Sequence, residues 1–293
     1  MTVLTTDSGA RRGVGQNRAD NGPGTATGST GLAVLAGVGR RLYPLLAIFI
    51  VFAIWEFAVH TFKIPALILP APTAIFVDLW QQREMYFIFT VPTFVEVVLG
   101  FVVAAIAGIL LAIAVSFSGF MRRTLYPLLI SSQMVPKIAI APLLIIWFGT
   151  GLEAKTLIAL LIAFFPIMVA TMVGLAAVDP DMVRLFRSMG AGPVRTFIKL
   201  RLPAALPNVF AGLKLGMTMA LVGAIVAEFV ASNKGLGYYL IYANGMLDTT
   251  GVFAALFLLT VMGVALYYMV EFAERLFVLD ALSRGADPGQ ATM

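Results

Sequence analysis

The sequence predicts an all-α, polytopic membrane protein with six transmembrane helices. Three observations carry this: 60% of the 293 residues are hydrophobic and only 12% charged, the mean hydropathy is +0.95, and the apolar residues gather in long runs. An ordinary soluble domain carries about 25% charged residues. The runs lie near 42–61, 89–117, 125–149, 154–176, 208–231 and 252–275. Each approaches or exceeds the roughly 20 residues needed to cross about 30 Å of hydrocarbon at ~1.5 Å per residue. The 27 glycines and 15 prolines suit packed, interrupted spans, where freed backbone groups find partners inside the bundle. With no cysteine and a single histidine, a disulfide framework, a thiolate site and a His-rich metal site are excluded.

Residues 1–38 are rich in Gly, Thr, Ser, Asn and Ala, bury too little apolar surface to fold alone, and are expected to form a disordered cytoplasmic tail. Residues 39–280 form the membrane domain and 281–293 a second cytoplasmic tail. The first apolar run begins at Leu42, late and long for a secretory signal, and is expected to stay in the membrane. Between the first two runs, "PAPTAIFVDLWQQR" reads as a short interfacial helix starting near Thr73.

The cations set the orientation. Arg40, Arg41, Arg122, Arg123, Arg184, Arg187, Arg195, Lys199, Arg201, Arg275 and Arg284 share one side, while Lys63, Arg83, Lys155 and Lys234 fall on the other. The positive-inside rule makes both termini and the 177–207 loop cytoplasmic, and accounts for the net charge of +5 without nucleic acid.

Two spans carry small residues four apart: Gly100, Ala104, Gly108, Ala112 and Ser116 in the second, and Gly212, Gly216, Ala220 and Ala224 in the fifth. In lipid, close backbone approach drives helix association, so both stripes are predicted helix seams.

The segment "DPDMVRLFRSMGAGPVRTFIKLRLPAALP" at 179–207 is soluble, basic and twice turned. Asp179 suits an N-cap and Pro180 the first helical position. Met182, Leu185, Phe186 and Met189 then share one helical face, with Arg184 and Arg187 off it. Gly190 is the expected stop, and Pro193 opens a second helix with face Val194, Phe197 and Ile198. Leu202-Pro203 and Leu206-Pro207 are expected to end that helix before the fifth span. Such a face fits either an anionic membrane surface or a groove in a partner protein.

This segment resembles the cytoplasmic coupling loop of the permease subunits of ATP-binding-cassette importers: Glu-Ala-Ala, three residues, Gly, nine residues, Ile-x-Leu-Pro. Gly190 takes the Gly place, Leu200 the Ile place, and Leu202-Pro203 close the pattern. Arg184, Leu185 and Phe186 stand at the Glu-Ala-Ala positions, so the acidic residue is missing here. "VPKIAIAPLLIIWFGTG" at 135–151, "FAGLKLGMTMALVGAIVAEFVASNKGLGYYL" at 210–240 and "FAERLF" at 272–277 are similar to the subgroup handling nitrate, sulfonates, taurine and thiamine or riboflavin precursors.

The resemblance implies a type I importer permease domain at 39–280 with a coupling loop at 179–203, acting as a homodimer in the cytoplasmic (inner) membrane. It also implies two cytoplasmic ATPase subunits and an outer substrate-binding protein as partners. The ATPase contacts would fall on Met182, Arg184, Leu185, Phe186, Arg187, Ser188, Met189, Gly190, Ala191, Leu202 and Pro203. ATP and Mg would be used by the ATPase and none bound by this chain, which has no G-x-x-x-x-G-K-[S/T] loop and is not expected to be an enzyme. The "GAIVAEFVASNKGLGYYL" stretch leans towards a small aromatic or heteroaromatic cargo.

Ionisable residues inside a bilayer need partners, water or a task. Glu96 and Lys137, counted along their spans, fall at similar depth, roughly 18–20 Å from the cytoplasmic boundary, and are expected to pair. Pro136 frees the Ser132 carbonyl, and Gln133 and Lys137 lie one turn apart. Ser132, Gln133 and Lys137 therefore either flank the translocation path or mark a local kink. Glu228 is a gate residue or an interfacial one. Lys214 is expected to snorkel to headgroups, and Glu56 to pair with His60. The loop at 232–245 is expected to dip at the outer surface with Tyr238, Tyr239 and Tyr242 in the interface. An ion-coupled carrier using Glu96, Lys137 or Glu228 is the second transport class these residues allow.

Overall fold

In the computed structural model, which describes residues 29–285, every regular element is helical. The chain divides into two units between Ile54 and Trp55. The first, as far as described, is most of helix α1 (Ser29–Thr61), with Tyr43, Leu46, Phe49 and Val51 exposed. Residues 29–38, expected to be tail, are already helical, because "STGLAVLAGV" is apolar enough to continue the span upstream. Residues 1–28 of that tail lie outside the described residues.

The second unit contains α2 (Pro72–Gln81), α3 (Arg83–Phe117), α4 (Gly119–Ser132), α5 (Lys137–Phe148), α6 (Leu152–Ala176), α7 (Pro180–Ser188), α8 (Pro193–Thr196), α9 (Leu202–Ala231), α10 (Leu236–Gly245) and α11 (Thr249–Gly285). The last of these carries the expected C-terminal tail as helix through Gly285. Among the described residues four helical stretches are long and apolar enough to cross a membrane: Arg83–Phe117, Leu152–Ala176, Pro193–Ala231 and Thr249–Phe277. Leu46–Thr61 and Lys137–Phe148 are shorter apolar helices.

The expected third span, 125–149, is not one helix. Pro136 lacks an amide hydrogen, and the chain leaves the helix at Ser132 and re-enters at Lys137. The Ser132 carbonyl then accepts from Val135 N at 3.3 Å.

Both small-residue stripes are seams, and both face α6. A Cβ on Gly100 would lie 2.5 Å from Ala159 Cβ, and one on Gly212 2.6 Å from Ala170 Cβ. Gly223 extends the α9 stripe: its Cβ would lie 2.6 Å from Ala159 Cα. Helix α6 is thus gripped from two sides through Ala159, Ala163 and Ile167, all fully buried. Opposite faces, with Leu99, Val103, Ile106 and Leu110 on α3, are exposed and suit lipid.

At the basic end, Asp179 Oδ1 accepts from Asp181 N at 2.8 Å and starts α7. The helix closes as expected at Gly190, whose φ is +77°. Gly190 N donates to Arg187 O and Ala191 N to Phe186 O, both at 3.0 Å, the paired bonds of a Schellman turn. The second helix departs from expectation. Leu202-Pro203 do not end it; α8 runs through a π-helical turn, Phe197–Arg201, directly into α9. In the wide register Leu202 N donates to Phe197 O, and the proline, with no N–H to give, falls where a helical turn can start afresh.

Candidate functional site

The N-terminal halves of α3 and α6 and the C-terminal end of α9 enclose a polar cluster. Thr93, Glu96, Lys155 and Glu228 are each at most 4% exposed. Lys155 Nζ donates to Glu96 Oε1 at 2.8 Å and to Ser232 Oγ at 2.6 Å. Glu228 faces the Glu96 carboxyl and has no cation at ion-pair distance among the described residues. Its oxygens are met instead by Thr93 Oγ1 at 2.6 Å and Gly237 N at 2.5 Å. Thr93 Oγ1 in turn accepts from Leu236 N at 2.8 Å. Two side chains from two spans therefore cap the first amides of α10, and the loop at 232–245 is fastened to the bundle.

The expected Glu96–Lys137 bridge is not formed. Counting residues fixes depth but not azimuth, and the break before Lys137 swings its ammonium to Gln133 O, 3.4 Å away, and over the Phe165 ring at 4.6 Å. The partner of Glu96 is Lys155, which the sequence reading assigned to an outer loop. Lys155 sits in the first turn of α6, and Glu96 lies on the same helical face as Thr93, one turn away; that i, i+3 polar pair was the available signal. Ser132 and Gln133 are half-buried beside the break, with Ser132 Oγ donating to Leu129 O at 2.7 Å.

Three other expectations meet the structure. Glu56 and His60 pair at 2.8 Å, and Glu56 also accepts from Thr73 N at 3.0 Å and Thr73 Oγ1 at 2.7 Å, holding the start of α2. Lys214 gives its ammonium to Glu274 of α11 at 2.5 Å, with Tyr267 beside it, a partner the sequence reading did not name. Tyr239 is buried against Tyr86 and Phe89, whereas Tyr242 is exposed. Burial raises the Tyr239 phenol above its ordinary value, so it remains a neutral hydroxyl.

Gly235 carries the tightest constraint on the cluster. Its φ is +101°, and any Cβ would fall on the Glu228 carboxyl. A Gly235→Ala change is expected to cost about 1–3 kcal/mol through the backbone alone and to dislodge Glu228 besides. Thermal unfolding of the purified protein checks it; an unchanged midpoint would sink this placement of α10.

At the opposite end, α7 is anchored by Val183, which is 8% exposed, while Met182, Leu185 and Met189 stand free at 43%, 51% and 64%. Phe186 is half-buried, and Arg184 and Arg187 turn towards the ends of α3 and α6. Val194 and Ile198 extend the free apolar surface, while Phe197 packs on Phe117 with ring centroids 4.8 Å apart. Met182, Leu185 and Met189 thus present an apolar face away from the bundle.

An all-helical chain with spans of this length, a fastened polar cluster at one end and a projecting amphipathic loop at the other is a membrane-embedded transport permease. Residues 104–278 match the family described as binding-protein-dependent transport system inner membrane component, and the chain belongs to that family. A probable ABC transporter permease protein of Haemophilus influenzae is 35% identical over 239 residues, covering 82% of this chain and 98% of the relative. The formylaminopyrimidine transport permease protein ThiX of Halalkalibacterium halodurans is 32% identical over 240 residues, covering 82% and 96%. The fold matches a chain of the MetNI methionine ABC transporter in an inward-facing conformation, with TM-score 0.52 and 22% identity over 69% of this chain and 97% of that one. The protein is the permease component of an ABC importer, which decides between the two transport classes the ionisable residues allowed.

Proposed function

We propose that this permease imports a small heteroaromatic solute as a homodimer in the cytoplasmic membrane, with its basic end and both termini inside. The exposed apolar face of α7 carries the reading: Met182, Leu185 and Met189 remain uncovered while Val183 fixes the helix to the bundle. Each loop seats in a groove of a cytoplasmic ATPase subunit, which supplies the ATP and Mg chemistry. Met182, Arg184, Leu185, Phe186, Arg187, Ser188, Met189, Gly190 and Ala191 form the contact, and Leu202 and Pro203 join it to α9. An outer binding protein delivers the cargo at the α10 end. Glu96, Ser132, Gln133, Lys137 and Glu228 flank the path, the break at 133–136 providing polar backbone in mid-span. The substrate class rests on similarity to ThiX, whose name records a formylaminopyrimidine.

A full reversal of access, from 1:99 to 99:1, requires ATP to favour one state by about 5.5 kcal/mol. That difference must cross the α7 contact. Gly190→Val places a β-branched residue at φ +77°, costing about 1–3 kcal/mol locally and tilting the exit of α7. The assembled transporter is expected to keep folding and ligand delivery but lose ATP-dependent uptake in vesicles. A photo-crosslinker at Leu185 should capture the ATPase; capture of lipid alone, with uptake intact in Gly190→Val, sinks the coupling assignment. A ligand panel titrated against the delivering protein tests the cargo class separately.

A further inference from the structure

Behind α7, at the ends of the spans, lies a cavity of about 630 Å³, bounded by Val115 of α3, Met172 of α6, Val183, Arg184, Arg187 and Arg201. A smaller one of about 200 Å³ shares Ser116, Val183, Arg187 and Arg201 with it. Arg184 is taken up by Asp181. Arg187 and Arg201 come from separate elements, α7 and the π-helical turn, and their guanidiniums make no ion pair or hydrogen bond among the described residues. Among the described residues no carboxylate lines either cavity. The carbonyl ends of α3 and α6 point this way, each equivalent to about half a negative charge at most. Two full guanidinium charges exceed that, so the cavity stays positive. Apart from Ser116, its remaining lining residues are apolar.

We propose that this cavity binds a phosphoryl-bearing anion, held between the Arg187 and Arg201 guanidiniums. Guanidinium forks match phosphate oxygens in pairs, and charge-assisted bonds of this kind are about twice as strong as neutral ones. The volume lies within the range of small-ligand sites, roughly 300–1,000 Å³. Two sources offer the same chemistry: the headgroup of an anionic phospholipid, with its acyl chains leaving along the exposed Val173 of α6, and free phosphate. Neither depends on the coupling or cargo assignments made above, because binding is read without transport.

The test uses the full-length permease reconstituted in phosphatidylcholine discs with and without phosphatidylglycerol, then released for native mass spectrometry. Wild-type protein is expected to retain phosphatidylglycerol over phosphatidylcholine, and Arg187→Gln with Arg201→Gln to lower that retention about tenfold, the scale of one lost charged contact. Lys199→Gln, a nearby charge outside the cavity lining, should leave it unchanged. A parallel arm titrates inorganic phosphate into the lipid-depleted protein. Preferential lipid retention that phosphate does not displace assigns the site to the headgroup; phosphate binding lost in the double variant, without lipid preference, assigns it to the free ion. Equal retention of both lipids together with no phosphate binding overturns the proposal, as does a double variant that behaves like wild type. Should the double variant unfold, Arg187→Lys serves in its place: it keeps the charge, loses the fork, and is expected to weaken retention.

Discussion

Replacing Lys155 with methionine is expected to remove most of the folded permease. The change leaves Glu96 buried against Glu228 with no ammonium, and breaking a buried pair from one side costs about 3–5 kcal/mol. That is a large share of the roughly 5–15 kcal/mol by which folded proteins exceed their unfolded chains. It also strips Ser232 Oγ of one of its two donors, leaving only Lys234 N at 3.2 Å, so the turn leading into α10 loosens with it. The measurement is thermal unfolding in detergent beside Glu96→Gln and the double variant. The double change removes both charges and should recover a substantial part of the loss; a single variant within about 1 kcal/mol of wild type would show that the pair carries little of the fold.

A methyl group at Gly223 is expected to do comparable damage by a different route. Its Cβ would sit 2.6 Å from Ala159 Cα and 3.2 Å from Ala159 N, backbone atoms that cannot rotate away. Overpacking usually costs about 1–3 kcal/mol, and a clash with main chain belongs at the upper end. The same residue supplies the control. At Gly100 the offending atom is the Ala159 Cβ at 2.5 Å, so Gly100→Ala should be largely rescued by Ala159→Gly, whereas Gly223→Ala should not. Unfolding midpoints of the four variants decide it. Equal rescue in both pairs would mean that α6 is not pinched at Ala159.

The seams and the loop were legible because their signals are local. Stripes of Gly and Ala four apart report a helix face directly, and Gly190 reports a left-handed stop whatever surrounds it. The partner of Glu96 was not legible, because depth along a span follows from counting while azimuth follows from which helices touch. Lys155 looked like a loop cation for the same reason: a first-turn lysine and a loop lysine are indistinguishable until the neighbouring helix is placed. The helical character of 202–207 was hidden by two prolines whose helix-ending rule assumes α register, and the π-helical turn relieves that assumption. The Glu274 partner of Lys214 was not legible because it lies sixty residues downstream, beyond any pattern within one span.

Between Phe197 and Arg201 the backbone winds more slowly than the helices on either side. Each residue of an α-helix advances the azimuth by about 100°, so letting one residue in or out of this slack section would swivel everything above it relative to everything below. Pro193–Thr196 and α9 thus belong to one continuous helical stretch, Pro193–Ala231, with this section as the place where its two parts can be re-phased.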